Sequence, residues 1–446
     1  MARPGANRSV QGFEYETILL ESERLDKPVE LRNVVTDLDV YENLDKPYLT
    51  AKMLVVDNAD LLAQADLLGA ETVTIRIKSD NPDGIAFQKK FYINQVTASD
   101  KAGDHTQVHT FHMIEDIAYI SGLKNVNRYY TGQAKTIISK IAQEFLGKQV
   151  KSTDNDKQAV KLIVPNLTPL EAIKWISNRT TTTDGYPFYV FSSLTQNKLF
   201  FNDLGSMLQE PVINPDLSYK LSSSSVGAGD ENVKRRTIRQ HKFSKNAEDL
   251  LTHIRKGLVG ARYDYIDTIN DKQKGFQFDV KKDVFDPLVS AQVLQANQSN
   301  FAFSELYQVD GQSFNKTASK TITQVRGSGA YREVDTDDYT LSYAEANKGS
   351  DYKLEVISRA IDNYTKTGAL TMVVDGLDFI DGDKHSTIGN NLRVEFLTTD
   401  PDVDRGKSRL DPKKSGDYLV YSSRHMFTKE GHNVSLMLIK IGNYRR

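Results

Sequence analysis

Histidine is the side chain best suited to hold a metal or move a proton near neutral pH, and the chain has eight. Three of them, His105, His109 and His112, lie close together. On a helix they could share a face. The run Val108 to Ile114 instead alternates as a strand, which sends His109 and His112 to opposite faces, so no metal site is expected there. No HExxH pair occurs. Arg405-Gly-Lys-Ser408 echoes the end of a phosphate-binding loop. That motif needs glycine where Pro401 stands, and Asp400, Asp402 and Asp404 would repel phosphate. Gly327-Ser-Gly329 is followed by Arg332 where a dinucleotide fingerprint needs its third glycine. Asp335, Asp337 and Asp338 lack the glycine and terminal Glu of a calcium loop. No GxSxG elbow is present. Any two of the 59 Asp and Glu residues could meet in space as a hydrolytic pair, but no spacing singles one out. Catalytic, cofactor-binding and metal-binding residues are therefore all expected to be none, and the chain is not expected to be an enzyme.

Composition narrows the field further. The 446 residues suggest two to four domains at about 100–200 residues each. Lys plus Arg (57) nearly balance Asp plus Glu (59), for a formal net charge of -2. That argues against a globally basic nucleic-acid binder. Cysteine is absent, which excludes disulfides, thiolate-held zinc, iron–sulfur clusters and a cysteine nucleophile. No apolar run approaches the ~20 residues of a membrane helix, and MARPGANRSVQG lacks the apolar centre of a signal peptide, so folding in a reducing cytosol is expected.

The elements that would carry any function are mostly strands. Val73, Ile75 and Ile77 alternate on one face. Residues 91–97 and 108–114 read as hairpin arms around Ala102-Gly103-Asp104. Helices are expected at 60–68, 131–146, 168–178, 246–257 and 350–364. The third opens on Thr168-Pro-Leu-Glu171, the pattern of a capping box with proline at the first helical position. Trp175, the single tryptophan, sits in that helix, where packing is its default role. Ser222 to Asn232 reads as a loop, and 286–349 is weakly patterned.

Two distant segments overlay. VTIRIKSD (73–80) with residues 91–115 matches LRVEFLTTD (392–400) with residues 417–441. Each is a strand, a polar excursion ending in Asp, an aromatic-led strand, a turn and a closing strand. In this overlay Gly103 and His105 answer Gly431 and His432, and Val108 answers Val434. Any two antiparallel hairpins share such a pattern. A duplicated β domain with a helical insert would share it too, and internal repeats change the expected fold.

Three stretches then carry a resemblance: VTDLDVYENL (35–44), the run 167–208 from LTPLEAIKWIS to NDLGSML, and SGDYLVYSSRHMFTKEGHNVSLMLIKIGN (415–443). Together they resemble the baseplate hub of contractile-tailed bacteriophages of the T-even type, and are similar to late-control tail proteins and the hubs of type VI secretion spikes. The resemblance implies an α+β, mainly β chain with two tube-type antiparallel β-barrel domains related by duplication. The expected division is 1–120 for the first barrel and its arm, and 121–237 for a helix-containing middle domain. Residues 238–285 with 365–446 would form the second barrel, and 286–364 an insertion. It implies a homotrimeric, pseudo-sixfold ring joining the tail tube or a tube-initiator protein to a central spike, beside other baseplate proteins. DNA would pass without sequence-specific binding through a lumen of polar and acidic side chains. No cofactor and no membrane anchor are implied. The location would be the virion tail baseplate, assembled in the host cytoplasm. A tail-associated peptidoglycan hydrolase and a receptor- or glycan-binding tail protein remain open alternatives.

Overall fold

The computed structural model describes residues 12–58, 67, 69–80, 85–103, 106–153, 159–213, 218–221, 236–245, 250–267, 272–290, 298–299, 308–313, 321–326, 350–380, 387–398, 410–411, 414–440 and 443–444. The helix expected at 60–68, the loop at 222–232, Gly327-Ser-Gly329, the three aspartates at 335–338 and Arg405 to Ser408 lie outside them.

The chain is mainly β. Its first part supplies β1 (Phe13–Glu21), β2 (Val35–Asn43), β3 (Thr50–Asp57), β4 (Thr72–Ser79), β5 (Phe87–Gly103) and β6 (Thr106–Glu115). The expected alternation holds: Val73, Ile75 and Ile77 are buried on one side of β4. The middle supplies α1 (Asp116–Gly122), α2 (Ala134–Ile141), α3 (Pro169–Ser177), β7 (Phe188–Ser192) and β8 (Leu199–Asp203). The last part supplies β9 (Gln240–Lys245), α4 (Ser350–Thr367), β10 (Gly368–Asp375), β11 (Asn391–Glu395), β12 (Gly416–Thr428) and β13 (Gly431–Ile439).

Strand order repeats. In the first part β2 to β6 lie side by side as β4-β5-β6-β3-β2. In the last part β9 to β13 lie as β11-β12-β13-β10-β9. Every neighbouring pair in both sets is antiparallel. The registers share one feature, although β5 has two further bulges, at Ala98 and Ala102, that β12 lacks. Counted back from the turns at Gly103–Thr106 and Thr428–Gly431, each hairpin has a bulge after its seventh pair, at Asn94 and at Tyr421. The overlay read from the sequence is off by one residue: Val108 occupies the place of Asn433, and His109 that of Val434. The glycines that suggested the overlay sit in turns, where no strand period fixes the count.

One strand joins the two sets. Along one edge β12 pairs with β13 throughout. Along the other, Gly416 to Leu419 pair with β11 and Ser422 to Thr428 pair with β2. The change of partner falls at the Tyr421 bulge, where the Leu44 amide donates to the Tyr421 carbonyl. The result is a continuous ribbon, β9-β10-β13-β12-β2-β3-β6-β5.

Three cores lie behind it. The first-part core takes in Leu194, Ile380 and Phe427 from other regions. The middle core packs Ile137, Ile138 and Ile141 of α2 and Ile173 and Ile176 of α3 against Phe188, Val190, Leu199 and Phe201. The hairpin β7–β8 turns its other face, Tyr189, Phe191 and Phe200, into the last-part core with α4. Being covered on both sides, β7 is a continuous apolar run rather than an alternating one. Helix α2 begins at Ala134, not Thr131, because Tyr129–Gln133 are taken by a ladder with Ala159–Ile163. The capping box forms at α3: the Glu171 carboxylate accepts from the Thr168 amide at 3.1 Å and the Thr168 hydroxyl at 2.8 Å.

Candidate functional site

The junction of β2 with β12 gathers the buried polar groups. On β2 the core-facing residues are Leu38, Val40 and Glu42, so a carboxylate occupies an apolar phase. Glu42 Oε2 lies 3.0 Å from His425 Nε2 and accepts from the Ser423 hydroxyl at 2.6 Å. Glu42 Oε1 accepts from the Leu194 amide, also at 2.6 Å. His425 Nδ1 lies 3.2 Å from His432 Nε2, which extends the chain to β13. Burial pushes the Glu42 carboxyl up, but His425, Ser423 and the Leu194 amide outweigh it and hold it below the usual range. His432 is pushed well below its ordinary value, first by burial and then by His425. Its ring stacks on Phe427, with centroids 4.2 Å apart, and its Nδ1 has no hydrogen-bond partner among the described residues. Gly376 makes room for it: a Cβ there would meet His432 Nδ1 at 2.2 Å. A Glu–His–His chain could relay a proton, but all three side chains are buried, so it joins strands rather than meeting a substrate.

A second buried carboxylate works alongside. Glu115 pairs with Lys89 at 3.2 Å and accepts from the Leu49 amide at 2.8 Å and the Ser192 hydroxyl at 3.1 Å. Lys89 also donates to the Gln196 carbonyl at 2.9 Å. Both carboxylates therefore grip the turn after β7, whose tip Leu194 enters the first-part core.

A cleft of about 540 Å³ opens beside the junction, lined by Asp45, Tyr189 and Asp362 among others. Two acids, Asp45 and Asp362, are among its lining residues. Lys366 stands between them, 3.3 Å from Asp45 and 2.8 Å from Asp362. The Tyr421 hydroxyl donates to Asp45 and the Tyr189 hydroxyl to Asp362. Burial, then Asp362, raises the Tyr189 hydroxyl well above its ordinary value. Asp45 thus ties α4 to the ribbon, and Asp362 ties it to β7.

The opposite face of the ribbon is less buried and carries its charged and polar residues together with a few apolar ones, Leu54, Val56 and Met426 among them. At the junction Arg424 donates to Asp39 at 2.7 Å and lies over Tyr41, while Lys52 stands across from Asp39 in the ladder. Acidic and basic residues alternate there, leaving no unbroken basic track for phosphates.

Of the residues singled out in the sequence, His109 is buried and His112 lies on the less buried face, with Nε2 2.8 Å from the Thr97 hydroxyl. His105 lies outside the described residues. Among the described residues no group of three His, Asp or Glu side chains could hold a metal ion, and no helix is long and apolar enough to cross a membrane. Trp175 packs against the middle core under Arg179, 4.2 Å from ring to guanidinium. The Glu42–His425–His432 chain was missed, although a signal was present: each of Glu42 and His425 falls on the apolar phase of its strand.

No protein-family model matches the chain, and no curated protein matches it in sequence. Among solved structures, the tail protein from Neisseria meningitidis MC58 is similar, with a TM-score of 0.51 and 12% identity over 97% of this chain and 98% of that one. The 43 kDa tail protein of prophage MuSo2 from Shewanella oneidensis is similar too, with a TM-score of 0.50 and 12% identity over 95% of this chain and 98% of that one. The resemblance read in the sequence therefore holds at the level of architecture, and this chain has the fold of the tail proteins.

Proposed function

We propose that the chain is a structural hub of a contractile phage tail. Three copies form a pseudo-sixfold ring between the tail tube, or a tube-initiator protein, and a central spike, within the virion baseplate. Each copy contributes two tube-type barrel units: residues 1–120, and 238–285 with 365–446. The middle domain is 121–237, with 286–364 as an insertion. The observation that carries this reading is the repeated strand order, with its matching bulges, in a chain whose fold is that of tail proteins. Two like units per chain turn threefold symmetry into near sixfold symmetry. The less buried face of the ribbon lines the channel. Its charges are mixed rather than mainly acidic, and the absence of a basic track among the described residues suits DNA that must pass without being held.

The mass of the purified chain in solution tests the proposal. Sedimentation should give three times the 50.2 kDa of one chain. A monomer at tens of micromolar, as a rough working concentration above the affinity of a stable interface, would count against the ring. The hydrolase alternative has its own test in the cleft. Purified chain should not cleave peptidoglycan, and turnover lost in Asp362→Asn would replace the hub with an enzyme.

A further inference from the structure

The cleft beside the junction carries two cations that its own acids do not hold. Asp45 and Asp362 are already engaged, since they share Lys366 and receive the Tyr421 and Tyr189 hydroxyls. Lys256 and Arg359 line the same cleft and are exposed. The Lys256 ammonium has no partner among the described residues. Arg359 reaches Glu355 at 3.9 Å, which is past hydrogen-bond distance.

The fold fixes where these cations stand. The short helix Leu250–Arg255 is followed by Gly257, whose φ of 73° is the left-handed conformation that ends helices. The Leu258 amide closes the turn on the His253 carbonyl at 2.9 Å. Two tyrosine hydroxyls hold that turn. Tyr263 donates to the Gly257 carbonyl, and Tyr364 of α4 to the Leu258 carbonyl, both at 3.2 Å. Burial raises the Tyr263 hydroxyl and the Arg359 charge partly offsets this, so Arg359 stands close to the turn that carries Lys256.

The rest of the lining limits what can enter. Pro187, Phe188 and Leu258 supply an apolar part. Asn178, just past the end of α3, adds an exposed side-chain amide with no partner among the described residues. Three cations, counting Lys366, stand against two acids, so one negative charge is matched and a second is not. That favours a carboxylate over a phosphate. Phe188 and Tyr189 are buried, so neither offers the exposed ring face on which a sugar stacks. The volume of about 540 Å³ is that of a site for a small group.

We infer that the cleft takes a glutamate side chain from a segment of a partner protein. Arg359 and Lys256 hold the carboxylate through charge-assisted hydrogen bonds. Its aliphatic stem lies on Leu258 and Phe188. The Asn178 amide has nothing to bond on a free acid of that size, but it can bond the backbone that presents the side chain. A single copy of the chain contains the whole site, so a monomer and a trimer can both show it.

Calorimetric titration of the full chain tests this with acetyl-Gly-Glu-Gly-amide, its Gln analogue, and glutarate as the free acid. The Glu peptide should bind, and the Gln analogue should bind at least about fivefold more weakly. Lys256→Gln and Arg359→Gln should each weaken the Glu peptide by about the same factor. Asn178→Ala should weaken the peptide and leave glutarate unchanged. All three side chains are exposed, and retention of the wild-type thermal transition would establish that the variants fold. Equal binding of the two peptides, or Glu-peptide binding that both cation variants leave intact, would overturn the inferred site. So would no binding at about 5 mM peptide. Glutarate binding as tightly as the peptide would overturn the protein source.

Discussion

Single residues decide how the two strand sets hold together. His432 is buried with its imidazole held well below the ordinary value, so protonation favours the unfolded chain. Its contribution is complete above the unfolded value near pH 6.5 and is lost as the pH falls below it. Stability should decline by about 1.4 kcal/mol per pH unit below pH ~6.5, read as urea midpoints between pH 7.5 and 5. His432→Gln should flatten that slope. Glu42, held below the usual carboxylate range, adds its own loss only at more acidic pH, as the pH falls from the unfolded carboxylate value through the folded one. Lys89→Met would leave the Glu115 carboxylate buried without its cation, at a cost of about 3–5 kcal/mol in denaturant unfolding. Glu42 and His425 were visible in the sequence as polar residues in an apolar phase. Their pairing was not, because 383 residues separate them and no local rule spans that distance.

Among the elements, α3 was the most legible, because its start is set by four adjacent residues and its buried face by the 3.6-residue period. Thr168→Ala should cost about 1 kcal/mol. Ile176→Ala should cost about 2–5 kcal/mol, since Ile176 is packed in the middle core. Thermal melts of the two variants check both, and a neutral Ile176→Ala would contradict the packing. Helix α2 was read three residues too early because Thr131 to Gln133 suit a helix start but are taken by a partner strand from Ala159 to Ile163. The β12–β13 hairpin was found from its alternation. Its alignment with β5–β6 needed the bulges at Asn94 and Tyr421, which, like the further bulges at Ala98 and Ala102 that only β5 carries, leave no mark in a two-residue period.

For the whole molecule, the eight-strand ribbon draws its strands from both halves of the chain. Ending the chain before Tyr418 would remove β13 and most of β12, and so unpair β2. Tails made with that truncation should never start, as seen by electron microscopy, whereas normal tubes joined to spikes would sink the hub reading. The mainly β architecture could be read from alternation, but the joining of both sets into one ribbon could not, because it depends on a strand that changes partner midway. That shared strand also sets an order of events during synthesis. Val35 to Asn43 leave the ribosome early, and their partner Ser422 to Thr428 follows only after nearly the whole chain has been made. At roughly 5–20 residues per second, β2 waits on the order of tens of seconds with one edge open. The carboxylates Asp37 and Asp39 in that strand are the kind of residue that discourages premature strand pairing. Only a chain translated past Thr428 can close its own junction, so a chain broken before that point keeps the β2 edge open.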